Sequence, residues 1–438
     1  MSRFFSLVLI RRFYWTVREE GLASAFEKAR IYISLHRKGC AASVLKGTSK
    51  GADPKPNAKP ETVLNGIWAE MARGNGFHAP ILSTRQPRIA LIGDLNLPQC
   101  RKYRVEQLAE FWEAQGVRCE YSHYQDIPRA TRIMQQATHL CEYRLQASPL
   151  THMLRYEARR LGLPVLYDID DPLFSVSAYE TYKNMEMLDP NLKAHFLSEA
   201  PKYAAMMNGA DMVTVSTPGL ATHAQLYTQR PVFVRRNFAD AATLENGKKA
   251  IRAKRPKDGL FRVVFASGSQ GHEADFDLIK DEITAFVTAD SNRRLVILGH
   301  FNKGHLSPAL TAQTEMHPFT TYDHYLVLLA QADVAVMPLQ NDIFNQCKSA
   351  VRVIDAASVS VACIASDVGD LPALIDDAKT GFIARTSGDW TAALQMLADA
   401  PSKKSAMKKA TRTALETRWS LQTGKHIIAP QILEWVKS

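Results

Sequence analysis

Residues 162–174 read GLPVLYDIDDPLF, and three aspartates, Asp168, Asp170 and Asp171, follow the apolar run Leu163 to Tyr167. Carboxylates clustered at the end of a strand suit a hard cation such as Mg²⁺. The same aspartates could instead start a turn, because Asp before Pro is a common turn opener. A second stretch, FNQCKSAVRVIDAAS at 344–358, places Lys348 and Ser349 at the start of a helical pattern. A lysine there could reach an anion at a helix N-terminus, where the dipole favours negative charge. Spacing alone leaves a solvated surface lysine equally open, and Arg352 one turn on has the same two readings. The loops GDLNLPQCRKYR (93–104) and SGSQGH (267–272) each follow an apolar run. Their Gly and Ser residues, Gly268 and Ser269 among them, allow close backbone approach to a phosphate, although either loop could be a plain turn. His272 is open to a ligand contact or a structural role.

The elements that must position these residues follow from the bulk of the chain. Its 438 residues suffice for two or three domains. With 46% hydrophobic and 22% charged residues the composition is that of an ordinary folded protein. The net charge of +10 points to anionic partners: nucleic acid, anionic lipid or phosphorylated small molecules. No zinc-finger spacing, RNP-like aromatic motif or long basic run supports nucleic acid. The six cysteines lack any C-x-x-C pair and read as thiols in a reducing cytoplasm.

Residues 88–95, 118–124, 137–145, 164–170, 209–217 and 231–238 read as strands, with helical spacing over 103–116 and 152–162. A polar, basic stretch at 242–260 follows, and the pattern restarts. Strands are expected at 261–269, 293–300, 333–339 and 361–367, with helices at 275–289, 322–332 and 350–358. The expected fold class is α/β, with two facing doubly wound, Rossmann-like domains at 62–240 and 241–425, and a terminal helix at 426–438. A ligand would lie between the C-terminal ends of their strands. Residues 46–61, KGTSKGADPKPNAKPE, read as a flexible linker. Ahead of it, in an extension spanning 1–45, residues 4–35 read as a basic amphipathic helix with Phe4, Phe5, Leu7 and Trp15 among Arg3, Arg11, Arg12 and Arg18. Residues 3–35 could lie on the anionic inner face of the plasma membrane, or pack on their own domain. Arginines interrupt the first apolar run, so neither a secretory signal nor a membrane-spanning helix is expected.

Residues 333–384, with ASDVG at 365–369 and DAKTG at 377–381, resemble the donor-binding segment of GT-B glycosyltransferases of the group 1/family 4 class. The resemblance extends over 88–425 through QCRKYRV, LGLPVLYDIDDPLF, ADMVTVSTPGL, VRRNF and FASGSQGHEADF, in a form like bacterial polysaccharide-biosynthesis enzymes. It implies sugar transfer from a nucleotide-sugar to a glycan or lipid-linked acceptor, with retention of configuration and without a metal or cofactor. It further implies a donor site on the second domain, at Gly268, Ser269, His272, Lys348, Ser349, Asp355, Ser366 and Asp367. Lys348 would bind the diphosphate and Asp355 the ribose. Arg101, Arg104, Asp168, Asp170 and Asp171 become cleft residues for the acceptor, with Arg101 and Arg104 also open to the donor phosphate. The two glutamates of the class fall on Cys347 and Asp355. Cys347 cannot replace a carboxylate, so a non-catalytic glycan-binding or scaffold subunit is one alternative. A Mg²⁺-dependent haloacid-dehalogenase-type phosphatase, with Asp168 and Asp170 as its first acids, is the other, but Pro172 stands where that motif needs Thr.

Overall fold

The computed structural model describes residues 7–37, 86–253, 256–268, 271–421 and 427–437, so the linker expected at 46–61 lies outside the described residues. Residues 86 onward contain two six-stranded sheets, in which every strand pair is parallel. The first comprises β1 (Arg88–Gly93), β2 (Arg118–His123), β3 (His139–Tyr143), β4 (Val165–Ile169), β5 (Met212–Val215) and β6 (Val232–Val234). Its order is β2-β1-β3-β4-β5-β6. The second comprises β7 (Phe261–Gly268), β8 (Arg293–Gly299), β9 (Thr314–His317), β10 (Val334–Met337), β11 (Ala362–Ser366) and β12 (Gly381–Ala384). Its order is β12-β11-β10-β7-β8-β9. Strands β3, β4, β5 and β10 are buried at every position, as parallel strands covered on both faces must be.

The expected strands all form, with shorter ends. The helix expected over 275–289 is instead two, Glu273–Phe276 and Lys280–Thr288. Residues 231–238 leave the sheet after Val234, and Arg235 to Phe238 become the crossing into the second domain. The terminal helix, Pro430–Lys437, returns to the first domain. There Ile432 and Val436 join the core of Leu108, Phe111 and Trp112, and the Trp435 carbonyl lies 3.1 Å from His139 Nε2.

Among the described residues the N-terminal extension forms two helices, Leu7–Glu20 and Leu22–Arg37, where a single one was expected. Gly21 between them has φ +89°, a left-handed conformation that glycine adopts without Cβ strain. The rings of Phe13 and Phe26 meet edge to face at 5.4 Å. No helix among the described residues is long and apolar enough to cross a membrane.

One buried ion cluster organises the first domain. The helical run after β1 widens to π geometry over Arg101–Glu106 and turns Arg104 inward. The Arg104 guanidinium grips Asp168 on β4 through two bonds, Nε to Oδ1 at 2.9 Å and an NH2 bond to Oδ2 at 2.6 Å. Thr214 on β5 donates to the same Oδ2 at 2.6 Å, and Arg235 stands 3.5 Å from Oδ1. Burial alone would raise the Asp168 carboxyl, but the two arginines outweigh it and hold it below the usual range. Burial and the neighbouring Arg104 push Arg235 down to about 10. Removing one member of such a cluster leaves uncompensated buried charge. Asp168→Asn is therefore expected to lose about 3–5 kcal/mol of stability, read by chemical denaturation; a variant as stable as the parent would refute the organising role.

Candidate functional site

In a doubly wound sheet ligands gather where the strand order reverses. In the second sheet that point lies between β7 and β10. Strand β7 ends at Gly268, with φ +73°. Gly299, with φ +104°, backs onto it so closely that a Cβ at Gly299 would stand 2.7 Å from the Gly268 nitrogen. A Cβ built on Gly268 itself would meet nothing within 4 Å, so the strand end presents open backbone. Ser269 lies outside the described residues.

Next to this end stands a buried polar chain. Asp275 Oδ2 is 2.9 Å from His272 Nδ1, while its Oδ1 accepts from the Gln340 backbone at 3.0 Å. Arg352 NH2 lies 3.2 Å from His272 Nε2. A guanidinium only donates, so Nε2 accepts and the ring proton sits on Nδ1, facing Asp275. Burial, followed by the Arg352 and Lys348 charges, pushes His272 down to about 3, so the ring is neutral at physiological pH. Burial would raise Asp275, yet His272 and Lys348 hold it well below the usual carboxylate range. Lys348 Nζ donates to Tyr182 Oη at 2.8 Å and lies 5.0 Å from the Tyr182 ring centroid. Burial opposes its charge, but Tyr182 and Asp275 win and its pKa is raised.

Lys348 does not begin a helix: the helix starts at Val351, and the Lys348 carbonyl accepts from the Asp370 amide at 3.0 Å. Its place is set by Gly369, with φ +63°, where any Cβ would come 2.8 Å from the Lys348 oxygen. Ser349 Oγ accepts from Asn237 at 3.0 Å, at the crossing between domains.

Six expected site residues have other partners. Arg104 and Asp168 are buried on each other and face no cleft. Asp355 Oδ1 takes the phenols of Tyr103 at 2.5 Å and Tyr322 at 2.7 Å, making an interdomain tie that a ribose hydroxyl would have to displace. Ser366 Oγ accepts from the Leu339 amide at 2.9 Å and fastens β11 to the end of β10. Asp367 pairs with Arg385 at 2.7 Å on the surface. Arg101 is exposed and bonds Glu106 at 2.8 Å.

Asp170 and Asp171 do reach the ends of the first sheet. Tyr143 donates to Asp170 at 3.2 Å, and Arg144 stands 3.7 Å away. Burial and then the Asp170 charge push Asp171 up to about 6, against the pull of Arg144 and Lys348. Among the described residues no group of three or more His, Cys, Asp or Glu could hold a metal. The phosphatase reading fails on Asp168, because a nucleophile must be free to attack and this carboxylate is enclosed between guanidiniums. Tyr182, Asn184 and Asp275 were not among the residues expected at this site. Nothing in their local spacing marks them, since they meet only through the fold.

Residues 261–400 match the family model described as glycosyl transferases group 1. A search of curated proteins finds no match. Among solved structures, sucrose-phosphate synthase from Thermosynechococcus elongatus aligns with TM-score 0.52 and 14% identity, covering 80% of this chain and 100% of that one. The Anabaena protein Alr3699/HepE, solved in complex with UDP, aligns with TM-score 0.51 and 12% identity, covering 80% and 99%. A glycosyltransferase from Rickettsia africae aligns with TM-score 0.50 and 9% identity, covering 81% and 98%. At such identities the structures speak for the fold, and the family model speaks for the second domain. With that model matched on β7 to β12 and two parallel doubly wound sheets in succession, the second domain is similar to the group 1 glycosyl transferases and the chain has the GT-B fold.

Proposed function

We propose that the chain transfers a sugar from a nucleotide-sugar to a glycan or lipid-linked acceptor, with retention at the anomeric carbon and without a metal ion. One observation carries this reading: the Lys348 ammonium stands at the switch point of the second sheet, in the same corner as the Arg352–His272–Asp275 chain. The open Gly268 backbone ends β7 there. Such a corner suits a diphosphate, whose charge grows as the sugar leaves. The UDP bound by the Anabaena protein of like fold supports a nucleoside diphosphate as that group. Lys348 would hold the departing oxygens, and Arg352 would add a second positive charge through its place on His272. On the opposite side, Asp170 and Asp171 end the first-domain strand and would accept the hydrogen bond of an acceptor hydroxyl. Ionised Asp171 at neutral pH suits that task.

Lys348→Ala is expected to lower turnover about 100-fold at saturating donor, the scale of losing one transition-state charge stabiliser. Full activity in that variant would remove Lys348 from the site. Sugar transfer should persist in excess EDTA after metals are stripped. Activity that vanishes and returns with Mg²⁺ or Mn²⁺ would overturn the metal-free reading.

For location, the reading is cytoplasmic, peripheral on the inner face of the plasma membrane. Within the extension, Ile10, Tyr14, Trp15, Leu22 and Phe26 are exposed large apolar residues, beside Arg11, Arg18, Lys28 and Arg30. Each basic residue near an anionic surface contributes about 1 kcal/mol, weakened by salt, and buried aromatic area adds a salt-insensitive part. The full chain is expected to co-sediment with anionic vesicles, with partial release at high salt, and deletion of residues 1–60 should abolish this. A full-length chain that ignores such vesicles at low salt would contradict it.

A further inference from the structure

The corner assigned to the donor diphosphate is filled by the protein's own first domain. Between β4 and the helix Pro190–Asn208 the chain forms two short helices, Val176–Thr181 and Lys183–Met187. From them Tyr182 reaches Lys348, its hydroxyl accepting from Nζ at 2.8 Å, and its ring stacks on Phe344 at 4.1 Å with planes 9° apart. Two residues on, Asn184 Nδ2 donates to Asp275 Oδ2 at 2.7 Å and lies 3.3 Å from His272 Nδ1. The Asn184 carbonyl presses on Gly271, with φ +95°, where a Cβ would stand 2.9 Å away. Thus the ammonium and the His–Asp pair are both met by side chains of one short segment.

This packing is incomplete. Asn184 is 2% exposed and Asn345 is fully buried, yet the Oδ1 atoms of both have no hydrogen-bond partner in the described structure. Permanent interiors satisfy such atoms. The bond to Lys348 is also a weak substitute, because a neutral phenol faces a cation that binds a charged phosphate oxygen more strongly. A segment that gives up an imperfect set of contacts can yield to a ligand that makes a better one.

Resting on the reading of this corner as the diphosphate site, we propose that residues 176–188 form a self-occluding strap. Tyr182 stands in for a phosphate oxygen at Lys348, Asn184 latches the segment to Asp275, and both withdraw when the diphosphate enters. The apparent affinity for any diphosphate is then reduced by the fraction of molecules with the strap withdrawn.

The test uses the full-length chain with inorganic pyrophosphate, the part common to nucleoside diphosphates, in titration calorimetry. Tyr182→Phe removes the phenol oxygen from Lys348 and keeps the stacked ring; Asn184→Ala removes the second contact. Each variant is expected to bind pyrophosphate about tenfold tighter than the parent, as a population shift of that size requires. In the unaltered protein, amide hydrogen exchange over 176–188 is expected to quicken at saturating pyrophosphate, a readout that needs no substitution in the buried corner. Equal or weaker binding by both variants overturns the strap, and so does exchange that stays constant or slows. Lys348→Ala separates the two claims. Binding that this change abolishes but the strap variants do not tighten overturns the strap alone. Pyrophosphate that binds neither parent nor variants overturns the diphosphate reading and the strap with it.

Discussion

The carboxylate of Asp168 sits between two guanidiniums in the middle of the first sheet, and much of the molecule is arranged around it. Taking three charges out of water is costly, and attraction repays it only with near-complete hydrogen bonding. The chain supplies that bonding from distant elements. Arg104 comes from the π-widened turn after β1, Thr214 from β5, and Arg235 from the end of β6. The arginines are tied in turn, Arg235 donating to the carbonyls of Tyr103 and Arg104 at 2.9 Å each. Arg104 donates to the Arg235 carbonyl at 2.7 Å.

From this anchor the route into the second domain follows residue by residue. Arg236, next to the anchored Arg235, forms a two-bond pair with Asp370 at 3.0 Å for each bond. Asn237 faces both ways, its Oδ1 accepting from Arg104 and its Nδ2 donating to Ser349, each at 3.0 Å. The crossing therefore engages both domains, and Ser349 is tied through Asn237 to the first sheet. Tyr103, adjacent to Arg104, carries the same constraint to Asp355. Lys102 extends it to Asp240 at 3.2 Å. The cleft is thus fixed by a cluster outside it.

This explains what could be read in the sequence. Continuous apolar runs such as RIALIG and VACIAS name buried parallel strands directly, and their alternation with helical spacing yields two doubly wound units. Gly116 marks its helix end through φ +73°. Short edge strands such as β9 and β12 carry no legible period: TEMH has a single apolar residue, and GFIA is only four residues long. At the candidate site, Lys348 and His272 stood out through family likeness, since spacing alone left each open to a structural role. Arg104 and Asp168 were picked out for their charge, but charge in a sequence does not say whether it faces a ligand or an internal partner. Asn184 and Tyr182 gave no signal, because their meaning lies in what the second domain brings opposite them.

The departure at Cys347 becomes intelligible on the same terms. Its side chain is 1% exposed and joins the first-domain core with Phe344 and Leu220. Its carbonyl accepts from Thr217 at 2.8 Å. Burial first, then the charges of Asp171 and Asp342, raise the thiol to about 12, so this position resists negative charge. A glutamate here would be a buried anion close to Asp171, whose own ionisation is already opposed by Asp170. Like charges in one low-dielectric site disfavour each other's ionised forms. A neutral residue at 347 is what the DIDD end of β4 permits once Thr217 and Gly219 bring the first domain against residues 346–347. The carboxylates near Lys348 then come from Asp171 of the first domain and Asp275 of the second, and the lysine keeps its charge although position 347 offers none.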